Sequence, residues 1–365
     1  MIALLACIGA PEDTADSGPV EDSVPIEDTG DTGDTGDTGV VDTCEPEPSK
    51  GELWGVASAW NGEGPGLDGS VADLGVRAGA VVWRLDLDTM HGEIVRLFDP
   101  VVDDIWYLGT LALHPTQNRA YVSGYHYGPH ASYDSDDWLD GVDVIIELDT
   151  DTYQVLQVWD MDPDPYSFTG YATDFVDGQA GLYSPGDLQF LGTQLVAVEG
   201  GTVEHSDLVH LDPSTQTLTE LGPVVADGVW VAELEEQSDG RVYAMCEPQP
   251  APNLAPDGTE LPFLPEPVRF AELDPALVNT CENVRFTFAL DRVHGLATTD
   301  EDQLYAARTT STYWYDLVDP EVADLQLYQV DTAGGMTAVH DFTALFSTVP
   351  APLNGLGGMD WRPRP

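Results

Sequence analysis

Short apolar runs recur along this chain, and they recur in sets of four. Leu111-Ala112-Leu113-His114-Pro115 is an apolar run stopped by proline. Asn118 and Arg119 turn the chain into Ala120-Tyr121-Val122-Ser123, and runs at 144–148 and 154–159 complete the set. Runs of this length, rich in β-branched and aromatic residues and bounded by turn formers, predict strands. Further sets follow at 187–190, 194–198, 208–211 and 217–221; at 228–231, 241–245, 269–273 and 284–288; and at 294–297, 303–307, 327–330 and 339–342. The first set, at 53–57, 80–85 and 93–98, has only three runs, and no helical period separates the sets.

One phrase marks the third run of each four-run set and the second of the three-run set. Leu85-Asp86, Leu148-Asp149, Leu211-Asp212, Leu273-Asp274 and Val330-Asp331 lie 63, 63, 62 and 57 residues apart, Asp to Asp. An Asp at a strand end bonds its own backbone in a turn. A repeat of this length built of four strands predicts an all-β fold of propeller blades. Direct counting gives five blades. Six or seven are the alternatives if a degenerate blade hides in a long insertion, with 160–185 as its best place. A β-sandwich or solenoid is the structural rival. The C-terminal run Leu353-Asn354-Gly355-Leu356-Gly357-Gly358-Met359-Asp360-Trp361 resembles a blade-opening strand with nothing after it, and the first set lacks one. The last strand is therefore expected to complete the first blade and close the ring, which removes exposed sheet edges.

Three domains are expected: a remnant signal and anchor at 1–10, an acidic spacer at 11–50 and the propeller at 51–365. Residues 11–50 hold 13 acidic residues and one basic one, including an Asp-Thr-Gly tract at 31–39. Such a segment has little to bury and repels itself, so it is expected to stay extended. The tract has period three and lacks a calcium-loop pattern. The whole chain carries 65 Asp and Glu against 12 Lys and Arg, for a formal net charge of -53, with Lys50 its single lysine. That field disfavours nucleic acid and anionic lipid surfaces. It favours cations, basic partners or solubility, and it fits a salt-rich habitat where self-repulsion is screened.

Two resemblances can be named. Leu4-Leu5-Ala6-Cys7 resembles the lipobox of bacterial lipoproteins, in which the cysteine takes the lipid, and the acidic Thr-Gly spacer is similar to those of lipoproteins from myxobacteria and their relatives. Only six residues precede Cys7, with no basic region, so the true start is expected upstream. The stretches at 111–124, 145–158 and 208–221 resemble the repeats of YVTN and NHL-type β-propeller proteins. That family spans extracytoplasmic binding proteins, lyases and lactonase-like enzymes, so the likeness implies fold more than activity.

Candidate chemistry falls into four groups. His126 and His130, followed by Asp134, Asp136 and Asp137, could hold zinc or another divalent metal; the plainer reading is an acidic, aromatic surface loop. His114, Asp187, Glu233, His294 and Asp360 lie near the ends of the blade-opening strands, where a ring of carboxylates and imidazoles could hold calcium or supply a general base. Tyr313-Trp314-Tyr315 could stack on a carbohydrate or peptide, or fold back on its blade. Cys246 and Cys281 are placed at one edge of the fourth unit and are expected to form a disulfide that staples the proline-rich insertion between them. No phosphate-binding loop, hydrolase elbow or zinc-protease motif occurs.

The function these readings favour is an extracytoplasmic, lipid-anchored binding module at the cell envelope, with no catalytic residues assigned. Its expected partner is an envelope protein or polysaccharide, its expected state a monomer, and its expected place the outer membrane or cell surface, or else the periplasm or medium. The rivals are a hydrolase or lyase using a divalent cation such as calcium in the channel, and a structural envelope protein.

Overall fold

The computed structural model describes residues 49–58, 80–98, 103, 105–127, 141–160, 187–199, 207–215, 217–223, 229–248, 268–276, 279–290, 293–308, 325–349, 353 and 355–363. Their strands form five four-stranded antiparallel sheets. The first contains β1 (Glu52–Ser58), β2 (Ala80–Asp86) and β3 (His91–Phe98). The second contains β4 (Ile105–Leu113), β5 (Arg119–Tyr127), β6 (Gly141–Asp149) and β7 (Val155–Asp160). The third contains β8 (Asp187–Leu191), β9 (Gln194–Glu199), β10 (Asp207–Asp212) and β11 (Thr217–Pro223). The fourth contains β12 (Val229–Glu236), β13 (Val242–Pro248), β14 (Arg269–Leu273) and β15 (Val284–Thr287). The fifth contains β16 (Val293–Thr298), β17 (Leu304–Arg308), β18 (Gln326–Val330) and β19 (Met336–Asp341), followed by the one-turn helix α1 (Thr343–Phe346).

The last strand, β20 (Gly355–Arg362), pairs antiparallel with β1, so the first sheet reads β20-β1-β2-β3. The C-terminal strand thus opens the first blade, as the sequence predicts. Arg362 secures the join: its guanidinium donates to Thr150 Oγ1 at 2.7 Å and to Asn118 Oδ1 at 2.6 Å, both in the second blade. The fold is a five-bladed β-propeller.

Five hydrophobic clusters fill the five seams between blades. Leu53, Trp83 and Met359 of the first blade meet Tyr305, Leu327 and Phe342 of the fifth. The other clusters join the first blade to the second, the second to the third, the third to the fourth and the fourth to the fifth. Burial on both faces of every sheet explains the near-continuous apolar runs. The repeated phrase now has a physical meaning. Leu85, Leu148, Leu211, Leu273 and Val330 each enter the seam with the preceding blade. The following aspartates each cap a turn. Oδ1 of Asp86 accepts from the amides of Asp88 and Thr89, that of Asp149 from Asp151 and Thr152, and that of Asp212 from Ser214 and Thr215. Asp274 accepts from the Ala276 amide, and Asp331 from those of Ala333 and Gly335.

These capped turns all lie at one end of the barrel of strands. Because neighbours are antiparallel, the links between first and second strands and between third and fourth strands leave by one face, and all others leave by the opposite face. The first face carries mainly tight turns. The strand ends at the opposite face are those joined by the long connections 59–79, 128–140, 161–186, 249–267 and 309–324, which lie outside the described residues. The chain enters at the tight-turn face. There Lys50 N donates to Asp88 Oδ1 at 2.9 Å, Leu87 N donates to the Gly51 carbonyl at 3.1 Å, and Trp361 Nε1 donates to the Lys50 carbonyl at 2.9 Å.

The Cys246–Cys281 disulfide is present, with Cα atoms 6.3 Å apart. Its path differs from the expected one. β13 climbs toward the long-connection face, whereas β15 begins at the tight-turn face, so the two cysteines start from opposite ends of the blade. Cys246 is level with Arg269 and Thr287, while Cys281 precedes the Ala271–Val284 pair. The link between β14 and β15 folds back over the blade, with Cys281 at a φ of 53°, and carries its sulfur into the seam with the third blade. The bridge pins that link; the proline-rich insertion at 249–267 lies outside the described residues.

Candidate functional site

The innermost strands β20, β4, β8, β12 and β16 surround the axis. Each is a sheet edge, so its outward amides need partners from the next blade. Bulges in four of these strands shift their register against the second strands: at Gly357–Gly358, at Gly109–Thr110, at Ala232 and at His294. A bulge bends the strand and re-aims side chains. The result is a cluster of acids contributed by three blades: Asp360, Asp187, Glu233 and Glu235.

Asp187 and Glu233 are 2% and 1% exposed, and Glu235 is 2% exposed. Asp360 is partly exposed as a residue, but its carboxyl is enclosed. Asp187 Oδ2 accepts from Leu234 N of the next blade at 2.6 Å. Its Oδ1 accepts from Thr110 Oγ1 of the preceding blade at 3.0 Å. Asp360 Oδ2 accepts from Leu113 N of the second blade at 2.7 Å, and its Oδ1 accepts from Trp361 N at 2.6 Å. Glu235 faces the amide and hydroxyl of Thr298 on β16. Its Oε1 and the Thr298 hydroxyl are both enclosed without an aligned hydrogen bond. Asp187 and Asp360 therefore each reach across a seam to a backbone amide of the next blade.

Burial dominates their electrostatics. It pushes the Asp187 carboxyl up to about 6 and the Asp360 carboxyl up to about 7, each above the usual aspartate range. Burial raises Glu233 and Glu235 well above theirs, and neighbouring carboxyls add to the effect: Asp187 for Glu233, Asp360 and Asp187 for Glu235. The other half of the ring is closed by glycines. A Cβ on Gly295 would lie 2.3 Å from the Gly357 carbonyl oxygen, and one on Gly357 would lie 2.5 Å from that of Gly109.

The structure brings Asp187, Glu233 and Asp360 together, as grouped from the sequence, and adds Glu235, Thr110 and Thr298. Glu235 was legible in principle, since it lies two residues after Glu233 on the same strand face. His114 does not join them. It caps the turn after β4, its Nδ1 accepting from Thr116 N and Gln117 N at 3.2 Å each, with its ring against Phe190. Burial, then the Arg119 charge, lowers its proton affinity. His294 occupies the β16 bulge and His126 lies in β5 opposite Ile105 and Val142. His130, Asp134, Asp136, Asp137, Tyr313, Trp314, Tyr315 and Cys7 lie outside the described residues. Among the described residues, no group of three or more His, Cys, Asp or Glu is arranged to hold a metal ion, and no helix is long and apolar enough to cross a membrane. A second, shallow polar groove on the tight-turn face contains Arg241, Tyr243, Asn283 and Arg285. Its arginines are engaged: Arg285 Nη1 donates to Gln237 Oε1 at 2.6 Å, and Arg241 pairs with Asp239 at 3.1 Å.

No protein-family profile matches the chain, and no curated protein matches it. Solved structures do. TolB from Acinetobacter baumannii matches at 12% identity and a TM-score of 0.37, over 86% of this chain and 67% of that one. A chain of the nidogen/laminin complex matches at 10% identity and a TM-score of 0.38, over 84% and 98%. Oligogalacturonate lyase from Vibrio parahaemolyticus matches at 11% identity and a TM-score of 0.32, over 73% and 63%. Likenesses this distant add nothing to the fold that the strand topology already defines.

Proposed function

We propose that this protein is an extracytoplasmic binding module, held at the cell envelope by its N-terminus, which engages an envelope protein or polysaccharide through the face of long connections. The observation that carries this reading is the asymmetry of the two faces. The long links leave one end of the blades, whereas residues 49–51 enter at the other, where Asp88 and Trp361 hold them. A tether at the N-terminus would then join the head at the tight-turn face and leave the long-connection face free. Cys7, in its lipobox-like setting, is the proposed anchor. His126 near the end of β5, and His130 and Tyr313–Tyr315 in the links that follow β5 and β17, are the proposed contacts. The Cys246–Cys281 bridge supports export, since disulfides persist in oxidising compartments. A metal-dependent hydrolase in the channel has less support, because Asp187 and Asp360 already accept amides from neighbouring blades.

Site-specific photo-crosslinking on intact cells tests the reading. A crosslinker at His130 or Trp314 is expected to capture an envelope component, and one at Asp239 or Asp302 on the tight-turn face is not. Capture from the tight-turn positions alone would reverse the assignment.

A further inference from the structure

One arginine in the groove on the tight-turn face is held in place by neutral groups alone. β15 pairs Phe286 with Phe270 and Val284 with Ala271, so Arg285 between them is the extra residue of a bulge. A bulge re-aims the side chain it frees. Here the Arg285 guanidinium carbon lies over the Tyr243 ring, 5.2 Å from its centroid, and Nη1 donates to Gln237 Oε1 at 2.6 Å. Tyr243 and Gln237 are 5% and 7% exposed, so a floor of buried groups fixes an arginine that is itself exposed. Among the described residues no carboxylate pairs with Arg285, in a chain with 65 acidic residues and 12 basic ones. Gln237 takes one nitrogen of a planar fork, and the N–H groups that remain suit a carboxylate bound through both its oxygens.

The groove around this arginine holds about 400 Å³, a volume typical of small-molecule sites, and it carries both signs of charge. Arg241 pairs with Asp239 at 3.1 Å and lies 3.9 Å from Glu272, whose Oε2 also accepts from Asn283 Nδ2 at 3.1 Å. Asp302, from the turn after β16, accepts from Ser238 N at 3.0 Å and Ser238 Oγ at 2.9 Å, which pins the turn after β12 to the fifth blade. The lining is therefore preorganised. It keeps one cation, Arg285, and one carboxylate, Asp302, that no opposite charge among the described residues neutralises. A lone anion would face more acids than arginines in this lining, and a lone cation would face Arg285. A ligand with both charges satisfies both. We propose that the groove binds a small zwitterion of the α-amino-acid class, with its carboxylate on the Arg285 fork and its ammonium toward Asp302 and Glu272. A free small molecule on the tight-turn face leaves the proposed partner face untouched.

Calorimetric titration of the full chain at low ionic strength tests this, with each of the common α-amino acids in turn and with acetate and methylammonium as single-charge probes. At least one amino acid is expected to bind at one saturable site and to raise the melting midpoint, because a ligand of the native state stabilises it. Acetate and methylammonium should each bind about tenfold more weakly or worse, since each meets half of the charge pattern. Arg285→Lys keeps the charge and removes the fork. Gln237→Glu sets a carboxylate of the chain itself against Arg285. Each is expected to weaken amino-acid binding by about tenfold or more, while Gln157→Ala, exposed on the second blade, should bind as wild type does. The proposal is overturned if no amino acid binds, or if either single-charge probe binds as well as the best of them. A folded Arg285→Lys or Gln237→Glu variant with wild-type affinity also overturns it. The comparison of probes needs no variant to fold.

Discussion

Glycine and aspartate carry the ring at the scale of single residues, and for opposite reasons. Gly295 is needed for what it lacks. It sits in a strand with ordinary backbone angles, yet a Cβ there would meet the Gly357 carbonyl oxygen at 2.3 Å. That neighbour is backbone, so the fifth and first blades would have to move apart. Gly295→Ala is expected to destabilise the protein by about 1–3 kcal/mol, in the range of overpacked cores, read as a lower denaturant midpoint with an unchanged slope. The aspartates divide into two kinds. Those of the repeated phrase are turn caps at or near the surface, and their spacing made them legible in the sequence, because a cap acts within four residues of itself. Asp187 and Asp360 act across seams, on amides 47 and 247 residues away. Their position at strand ends could be read from the repeat; their partners could not, since nothing local in sequence specifies which amide the next blade leaves unpaired. Thr110 was missed for the same reason.

At the scale of elements, the strands were legible because every blade is apolar on both faces, and the missing strand of the first set announced β20. The fourth blade was harder. Reading along the chain placed Cys246 and Cys281 at one edge, but strand direction places them at opposite ends, and only the folded-back link brings them together. That link is stabilised locally as well: Asp274 N donates to Asn279 Oδ1, and Asn279 Nδ2 returns to the Asp274 carbonyl, both at 2.9 Å. The bridge spans a sequence separation of 35 residues and is enclosed, with Cys246 1% and Cys281 2% exposed. Closing a loop of that length in the unfolded chain corresponds to about 3–4 kcal/mol. Replacing both cysteines by alanine is expected to cost about that much in urea unfolding. Reductant should lower the wild-type midpoint and leave the double variant unmoved; equal stability with and without the bridge would show that the Asp274–Asn279 bonds alone fix the link.

At the scale of the whole molecule, the first and last strands of the described head meet. β1 pairs with β20 from Glu52 against Arg362 to Ser58 against Gly355, a contact that closes only after every other blade is in the chain. Pairing this distant in sequence carries a large loop-closure entropy and folds slowly. Until it forms, β1 is an edge strand in a blade whose buried residues include Leu53, Trp54 and Val56, which is a template for pairing with another copy. The net charge of -53 opposes such association at low salt, and screening removes that protection. A chain ending before Gly355 is therefore expected to keep four blades' worth of β signal by circular dichroism, lose its cooperative melt, and elute as salt-promoted oligomers. A peptide of residues 353–365 added in trans should restore the monomer and the melt, because β20 contributes the β1 edge pairing, the Asp360 bond to Leu113 N and the Arg362 bonds to Thr150 and Asn118 together. A peptide with Asp360→Ala and Arg362→Ala should bind more weakly than the unaltered one. If the truncated chain melts cooperatively as a monomer without any peptide, the strand is an accessory and the ring is closed by the seam clusters alone.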